Sequence, residues 1–433
     1  MKIAKKFLIF IISLIFTFSI FGCTKKTKVN NNDKKEFKGN ITIATAGIYT
    51  DILNSIAEDF IKENPKVKIN VKSVDSDIEK MPSDYVNDNK FDLVQIPRES
   101  CSYITNKYSD KLMNLTSLVN SYKSKGYFFN SFINEIVNEE DNSIYCMPWS
   151  IRPIALYYRK DIFKKAGINP ENIKTWDNFI EAGKKINEVY NGNVKIIGLK
   201  YEDSYDILLC MLNQLGGQFY DSKGNVYLYN DKLLKVLNIQ KKMINEDIVL
   251  NLEDKWNDRI FYLKTNQLAT VPYSLRYKKV IKDCLKDQSG NWGIMKLPAF
   301  ENGGNQIANY DGAYLAISKN TKNKDLSIEF MKYIVMNNNA NKVLLKYGVL
   351  SGYRPFYNNS VFENKDDYFQ MQVERYFANI GDSRILYYGK NYPYVKENIK
   401  YISLKNLNKE KNLKSFLELK SKKLDEIIYK QKK

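Results

Sequence analysis

The sequence predicts an α/β protein, and three observations support this prediction. The length of 433 residues gives room for two or three domains at roughly 100–200 residues each, which excludes a single small module. Apolar residues make up 44% and charged residues 27% of the chain, so it can bury a full core. Short apolar runs alternate with stretches of helical periodicity, which is typical of a parallel sheet with helices on both faces.

A first strand and helix open the folded part of the chain. Residues 41–44 predict a strand, and residues 51–64 carry apolar side chains at helical spacing until Pro65 ends the helix. Residues 67–71 and 91–96 predict two further strands. Ligands of such sheets bind at the carboxyl ends of strands, so we expect binding residues in the loops that follow these strands.

A second stretch of the same kind lies further along the chain. Residues 155–159 predict a strand and residues 161–166 a short helix. Thr175 is placed to cap the helix that follows it. We expect Trp176, at the start of that helix, and Trp292 to pack in the core.

The chain contains no histidine. It therefore cannot build a Ser-His-Asp or Cys-His nucleophile, a His-ligated zinc site or a His general base. Carboxylate-pair chemistry, lysine chemistry and binding without chemistry remain. The sequence predicts no metal site and no cofactor.

Four cysteines lie in the body of the chain, at positions 101, 146, 210 and 284. They form no CxxC motif and have no metal-like spacing. Their apolar or mixed surroundings predict small buried side chains. In an exported protein two of them could pair, and the sequence leaves that question open.

The formal net charge is +18, from 67 basic and 49 acidic residues. Only eight of the basic residues are Arg, and acidic residues are interleaved with the lysines. The sequence therefore predicts no nucleic-acid-binding face. A solvated basic surface facing an anionic membrane or cell wall is the favoured interpretation.

The first 22 residues predict a signal peptide. Three lysines precede a 15-residue apolar run, which is shorter than the ~20 residues of a membrane span. The run ends in Ile20-Phe21-Gly22-Cys23, which resembles the lipobox of bacterial lipoproteins and implies lipidation of Cys23. Residues 23–40 would then be the lipid anchor and a polar tether, and an uncleaved signal anchor is the alternative.

A set of motifs occurs in order along the chain. They are Tyr145-Cys-Met-Pro148 within residues 145–167, Thr175-Trp-Asp-Asn-Phe179, Leu215-Gly-Gly217, Trp292-Gly-Ile-Met-Lys-Leu-Pro298, Asp311-Gly-Ala-Tyr314 and Gly348 to Pro355. This ordered set resembles the carbohydrate-type extracellular solute-binding proteins of ABC importers, the group that includes maltose-binding protein. The resemblance covers most of residues 41–430.

The resemblance implies a two-lobed, periplasmic-binding-protein-like α/β fold with a ligand cleft between the lobes, which close about a hinge. It implies the following division: lobe one, residues 41–147 and 312–348; lobe two, residues 154–308 and 356–433; hinge crossings, residues 148–153, 309–311 and 349–355.

Sugars are held by planar polar groups and by the faces of aromatic rings, so such residues at strand ends and crossings are the candidates. The resemblance and these positions together give fourteen candidate ligand-binding residues: Tyr49, Gln95, Arg98, Glu99, Trp149, Arg152, Tyr205, Asp206, Tyr273, Arg276, Tyr310, Asp311, Tyr353 and Arg354.

Half of the eight arginines fall among these candidates. Because Arg forms bidentate pairs with carboxylates and phosphates, one hypothesis is a ligand with an anionic group, such as an acidic or phosphorylated sugar. The alternative is that these arginines form hinge ion pairs with Glu99, Asp206 or Asp311. A neutral oligosaccharide stacked on Trp149 and the tyrosines fits that alternative.

The resemblance implies a monomeric lipoprotein on the outer face of the cell membrane, without enzymatic activity, that captures a solute and delivers it to ABC permease subunits. Two alternatives stay open. A lipoprotein of the same fold could sense its ligand and signal to a membrane kinase. A secreted glycosidase with a carboxylate pair needs no histidine, but the chain has too few strand–helix repeats for an eight-stranded barrel.

Overall fold

The computed structural model describes residues 36–74, 90–221, 223–382, 386–399, 402, 404–407 and 412–431. The predicted signal peptide, Cys23 and most of the tether lie outside the described residues. The strands are β1 (Gly39–Thr45), β2 (Val67–Ser73), β3 (Leu93–Pro97), β4 (Cys146–Ile151), β5 (Ile154–Arg159), β6 (Lys195–Leu199), β7 (Val249–Asn251), β8 (Leu268–Ser274), β9 (Trp292–Met295), β10 (Gly312–Ile317) and β11 (Leu350–Ser351).

Helices cover both sheets. They are α1 (Ile48–Glu63), α2 (Arg98–Lys107), α3 (Thr116–Lys123), α4 (Asn130–Asn134), α5 (Lys160–Lys165), α6 (Trp176–Val189), α7 (Tyr205–Gln214), α8 (Asp231–Asn245), α9 (Asn257–Lys264), α10 (Tyr277–Cys284), α11 (Lys324–Met336), α12 (Asn338–Lys346), α13 (Val373–Asn379), α14 (Tyr392–Ile399), α15 (Leu404–Leu407) and α16 (Leu413–Gln431).

The strands form two sheets, and each sheet with its helices is a lobe. The first sheet has the order β11-β4-β10-β3-β1-β2 and the second the order β7-β6-β8-β5-β9. The α/β class and the two-lobed arrangement are confirmed. The predicted parallel sheet is found only in part, and both sheets are mixed. β1 pairs in parallel with β2 and β3, and β6 with β7 and β8, whereas β10 runs antiparallel to β3 and β4, and β5 runs antiparallel to β8 and β9.

Local signals position the elements as predicted. Thr175 caps α6: its side chain accepts a hydrogen bond from the backbone N–H of Asn178 at 3.2 Å, and the Asn178 side chain accepts one from the Thr175 N–H at 3.1 Å. This capping box satisfies N–H groups that a helix start leaves free. Trp176 and Trp292 are fully buried, as expected.

The crossings between the lobes lie side by side. The Ile154 N–H donates to the Ala308 carbonyl at 2.9 Å, and the Arg152 N–H donates to the Asp311 carbonyl at 3.2 Å. Within the predicted crossings, residues 148–151 lie in β4 and residues 350–351 form β11. Both segments complete the hydrogen bonding of the first sheet, which leaves a shorter first crossing.

The hydrophobic core does not divide along the lobes. One cluster fills the first lobe and continues through residues 356–380 onto one face of the second sheet. There the ring of Tyr157 lies 6.0 Å from that of Phe369 and 5.9 Å from that of Phe377. The second cluster packs the opposite face of that sheet beneath the C-terminal helices. Residues 356–380, predicted as part of lobe two, therefore contact both lobes.

Candidate ligand-binding cleft

A cavity of about 560 Å³ lies between the lobes, next to the crossings. Its walls come from the ends of β3 and β10 in the first lobe and of β6 and β8 in the second. Ten of the fourteen candidate residues line it: Tyr49, Gln95, Glu99, Arg152, Tyr205, Asp206, Tyr273, Arg276, Tyr310 and Asp311.

The first-lobe wall is held by buried polar contacts. The Gln95 side-chain oxygen accepts hydrogen bonds from the Ala46 N–H at 3.1 Å and the Thr45 hydroxyl at 3.3 Å, which fixes the loop between β1 and α1. The hydroxyls of Tyr49 and Ser150 share a hydrogen bond of 2.7 Å. Burial raises the pKa of Tyr49, opposed by the nearby Arg152 guanidinium, so Tyr49 presents a neutral phenol.

An ion pair between Arg152 and Asp311 joins the first and second crossings. Burial lowers the pKa of Arg152, but the Asp311 carboxylate outweighs this effect and raises it. The Arg152 Nε is buried without a hydrogen-bond partner among the described residues. The guanidinium therefore keeps one donor uncommitted.

A second ion pair closes the side of the cavity. Glu99, in the first turn of α2, lies 2.5 Å from the Lys396 ammonium on α14. Burial raises the pKa of Glu99, and Lys396 opposes this rise. Because α2 belongs to the first lobe and α14 packs on the second, the pair connects the lobes directly.

The second-lobe wall begins at the start of α7. The Lys255 ammonium lies 2.8 Å from the Asp203 carboxylate and 3.3 Å from that of Asp206. Tyr205 is buried and its hydroxyl contacts that of Tyr392. This wall thus combines charged side chains that reach solvent with the buried aromatic ring of Tyr205.

An aromatic and basic group completes that wall. The Arg276 Cζ lies 6.0 Å from the Trp256 ring centroid, and the Arg259 Cζ lies 5.8 Å from that of Tyr273. In the described part of the chain, neither guanidinium forms an ion pair with a carboxylate.

The backbone of Gly348, at φ 75°, packs closely against Arg276. A Cβ at this position would lie 2.5 Å from the Arg276 Cα, so only glycine fits.

Two buried candidates do not reach the cavity. Arg98 is 2% exposed; its Nε donates to Glu135 Oε1 and its Nη1 to the Asn309 carbonyl, both at 2.7 Å. Trp149 is fully buried, with its ring centroid 4.9 Å from that of Tyr49. The structure therefore places the Trp149 ring behind a cavity residue and not in the cavity lining.

The two candidates at the third crossing also lie elsewhere. The Tyr353 ring packs on Tyr127 at 5.3 Å. The Arg354 guanidinium lies 5.4 Å from the Phe129 ring centroid and donates to the Gly126 carbonyl at 3.5 Å. These contacts hold both side chains against the first lobe, outside the cavity.

Sequence reasoning missed several residues that line the cavity: Lys200, Asp203, Ser204, Lys255, Arg259 and Lys396. Lys255 and Arg259 follow β7, so the rule that ligands bind beyond strand ends could have found them. Lys396 lies on α14, far from any predicted strand or crossing, and no local signal marks it.

The described residues contain no group of three His, Cys, Asp or Glu side chains arranged to hold a metal. Within the same part of the chain, every helix is too short or too polar to cross a bilayer.

Two α/β lobes with a ligand-sized cavity at their crossings define a hinged binding protein. The model of the bacterial extracellular solute-binding protein family matches residues 46–337, and the chain belongs to this family.

Several relatives have names that specify sugars. The arabinooligosaccharide-binding protein of Halalkalibacterium halodurans is 26% identical over 57% of this chain and 56% of its own length. The lactose-binding protein of Rhizobium radiobacter is 26% identical over 54% of this chain and 56% of its own. The chain thus spans about half the length of the curated relatives it matches.

Solved structures share the fold. The sugar-binding protein MalE from Xanthomonas citri superposes with a TM-score of 0.77 at 16% identity, covering 91% of this chain and 98% of that one. The ABC transporter associated binding protein of B. animalis subsp. lactis Bl-04, in complex with β-1,6-galactobiose, has a TM-score of 0.71 at 20% identity, with the same coverage.

Proposed function

We propose that this protein captures a sugar or oligosaccharide between its lobes and delivers it to the permease subunits of an ABC importer. The observation that carries the proposal is the convergence of ten predicted residues, from both lobes, on one cavity of about 560 Å³. Small-molecule sites are typically about 300–1,000 Å³. A site built from two hinged lobes couples binding to closure, which is what a partner in the membrane would recognise.

A carbohydrate suits the chemistry of the lining. Gln95, Asp206 and Asp311 offer planar polar groups for hydroxyls, and Tyr49 and Tyr273 offer ring faces. The names of the arabinooligosaccharide-binding and lactose-binding relatives support the same class of ligand.

The ion pairs favour a neutral sugar. Arg98 and Arg152 already have carboxylate partners, and Arg354 lies outside the cavity, so three of the four arginines no longer argue for an anionic ligand. Arg276 still does, since it lines the cavity beside Arg259 and neither has an acidic partner in the described residues. An acidic sugar is therefore the second candidate ligand.

The site is proposed to bind without catalysis. Lipidation of Cys23 would hold the protein on the outer face of the membrane, where it would act as a monomer, and the polar residues up to position 40 would tether the folded body. The family to which the chain belongs is extracellular, which supports export.

Calorimetry on the purified mature protein tests the proposal. The panel comprises neutral arabino- and galacto-oligosaccharides together with an oligogalacturonate. We expect saturable one-to-one binding of at least one sugar, recovered unchanged by mass spectrometry. Binding of none of them, or hydrolysis of a bound sugar, would contradict the proposal; loss of sugar uptake on gene deletion would favour an importer over a sensor.

A further inference from the structure

We propose that Cys101 and Cys146 form an intramolecular disulfide in the exported protein. Their Sγ atoms lie 3.0 Å apart, although 45 residues separate them along the chain. Cys101 is on α2 and Cys146 is the first residue of β4, and both are buried. A disulfide has an S–S bond of about 2.05 Å, so a movement of roughly 1 Å would join the two sulfurs.

Location separates this pair from the other two cysteines. Cys210 lies on α7 in the second lobe, and Cys284 ends α10. Neither makes a sulfur contact with another cysteine in the described part of the chain. The proposal rests on export, which belongs to the proposed function, because disulfides persist in oxidising compartments outside the cytosol.

The reaction is thiol–disulfide exchange. One cysteine thiolate attacks the disulfide of an oxidising dithiol protein or small disulfide and forms a mixed disulfide. The thiolate of the second cysteine then displaces the partner's sulfur, so the two cysteines lose two protons and two electrons and the oxidant leaves as two thiols.

Oxidation is expected during folding. Both thiols are buried in the folded chain, which excludes a bulky oxidant, and burial raises the pKa of the Cys101 thiol well above its ordinary value. A protonated, enclosed thiol exchanges slowly. Once α2 has packed on the first sheet, the bond should therefore resist both formation and reduction.

The bond would stabilise one wall of the cavity. Cys101 lies in α2 two residues after Glu99, which contacts Lys396 across the lobes. Cys146 begins the strand that leads to Arg152 at the first crossing. A covalent link between α2 and β4 would hold these two cavity residues on one rigid unit, and it would also restrict the unfolded chain.

Differential alkylation of the full chain, recovered from the cell-envelope fraction, tests the proposal. The protein is unfolded in urea and labelled with iodoacetamide before and after reduction. Before reduction we expect label on Cys210 and Cys284 alone. After reduction we expect label on all four cysteines. Unreduced protein should also give a linked peptide pair that contains positions 101 and 146. Label on all four before reduction, in protein from that fraction, overturns the proposal.

A refolding experiment separates failure of this proposal from failure of the proposed function. The purified chain is refolded with glutathione disulfide and then mapped in the same way, so the result depends neither on export nor on any sugar. If the two cysteines are linked in the refolded protein but not in the protein from the envelope fraction, the proposal that the exported protein contains this disulfide is overturned. Sugar binding is measured independently by calorimetry.

Variants provide matched controls. Reductant present during refolding should lower the melting temperature of the wild type by roughly 5 °C and should not affect Cys101→Ser or Cys146→Ser. Cys210→Ser should keep the full sensitivity to reductant. Equal sensitivity in all three variants would contradict the pairing, and mapping of the wild type remains decisive if a variant does not fold.

Discussion

Lys396 and Glu99 form an ion pair of 2.5 Å between the two lobes, at the side of the cavity. Their side chains are 21% and 26% exposed, so the pair is partly shielded from solvent. The contact exists only while α14 and α2 are close. Opening the cleft must therefore separate these charges. The pair stabilises the closed arrangement to the extent that its interaction free energy exceeds the hydration free energy of the two separated groups.

Replacing Lys396 should weaken ligand binding without removing any proposed sugar-stacking residue. Lys396→Met leaves Glu99 without its partner, which disfavours closure, and we expect affinity to fall about tenfold, equivalent to about 1.4 kcal/mol. Calorimetry measures the affinity, and solution scattering measures the opening. The double variant with Glu99→Gln should recover part of the loss.

Lys242→Met is the matched control. Lys242 also forms an ion pair, with Asp177 at 2.7 Å, but on the surface of the second lobe alone. Its replacement should leave affinity and domain opening unchanged. Equal effects of the two lysine variants would show that general charge, and not the contact between lobes, determines closure.

Arg276→Lys discriminates between neutral and acidic ligands. The substitution keeps the charge and removes the planar fork. For an acidic sugar we expect a loss of about tenfold or more, because bidentate pairing is lost, whereas a neutral sugar should lose little. Arg375→Lys, which alters an arginine paired with Glu363 outside the cavity, serves as the control for arginine replacement.

Trp149 and Tyr273 should respond differently to truncation. Trp149→Ala removes a fully buried ring and should cost about 3–5 kcal/mol of unfolding free energy, so the milder Trp149→Phe is used for binding measurements and should keep affinity. Tyr273→Ala should lower affinity about tenfold with little change in melting temperature. A loss of affinity in a Trp149→Phe variant that still folds would show that Trp149 belongs to the ligand-binding site.

Asp366 predicts a pH-dependent stability. Burial alone would raise its pKa, but hydrogen bonds from the Lys282 and Lys278 ammonium groups outweigh this and lower it to about 2. A lowered pKa contributes stability that is present above the ordinary Asp value and lost as the pH falls towards about 2.

Asp366→Asn should therefore lower the free energy of unfolding by about 1 kcal/mol at neutral pH. The difference from wild type should shrink between about pH 4 and pH 2, as measured by denaturant titration at each pH. The control is Asp177→Asn at a surface pair. A difference that stays constant over this range would mean that the carboxylate charge contributes nothing.

Cys23→Ser tests the lipid anchor. The wild type should partition with membranes and carry an acyl mass on an amino-terminal cysteine, whereas the variant should lack that mass and be uncleaved or released. The measurement is mass spectrometry of the membrane and soluble fractions. A soluble wild type with an unmodified amino terminus at another residue would exclude lipidation.

The sequence by itself determined the α/β class, the positions of β1, β2, β3, β5, α1, α5 and α6, and the region of the cleft. Periodicity and capping act between residues a few positions apart, so the Thr175 capping box with Asn178 and the apolar face of α1 are visible in the printed sequence. Strand ends and crossings are also local features, and for this reason ten of fourteen candidate residues line one cavity.

The tertiary structure alone decided which partner each charged or aromatic side chain takes. Arg98 pairs with Glu135 and Glu99 with Lys396, across 37 and 297 residues of chain, and Trp149 packs behind Tyr49 instead of facing the cavity. Such contacts depend on how distant segments of the chain pack together, within one lobe for Arg98–Glu135 and Tyr49–Trp149 and between the lobes for Glu99–Lys396. No periodicity or spacing encodes them, because their free energy comes from burial and charge pairing between segments that meet only in the folded chain.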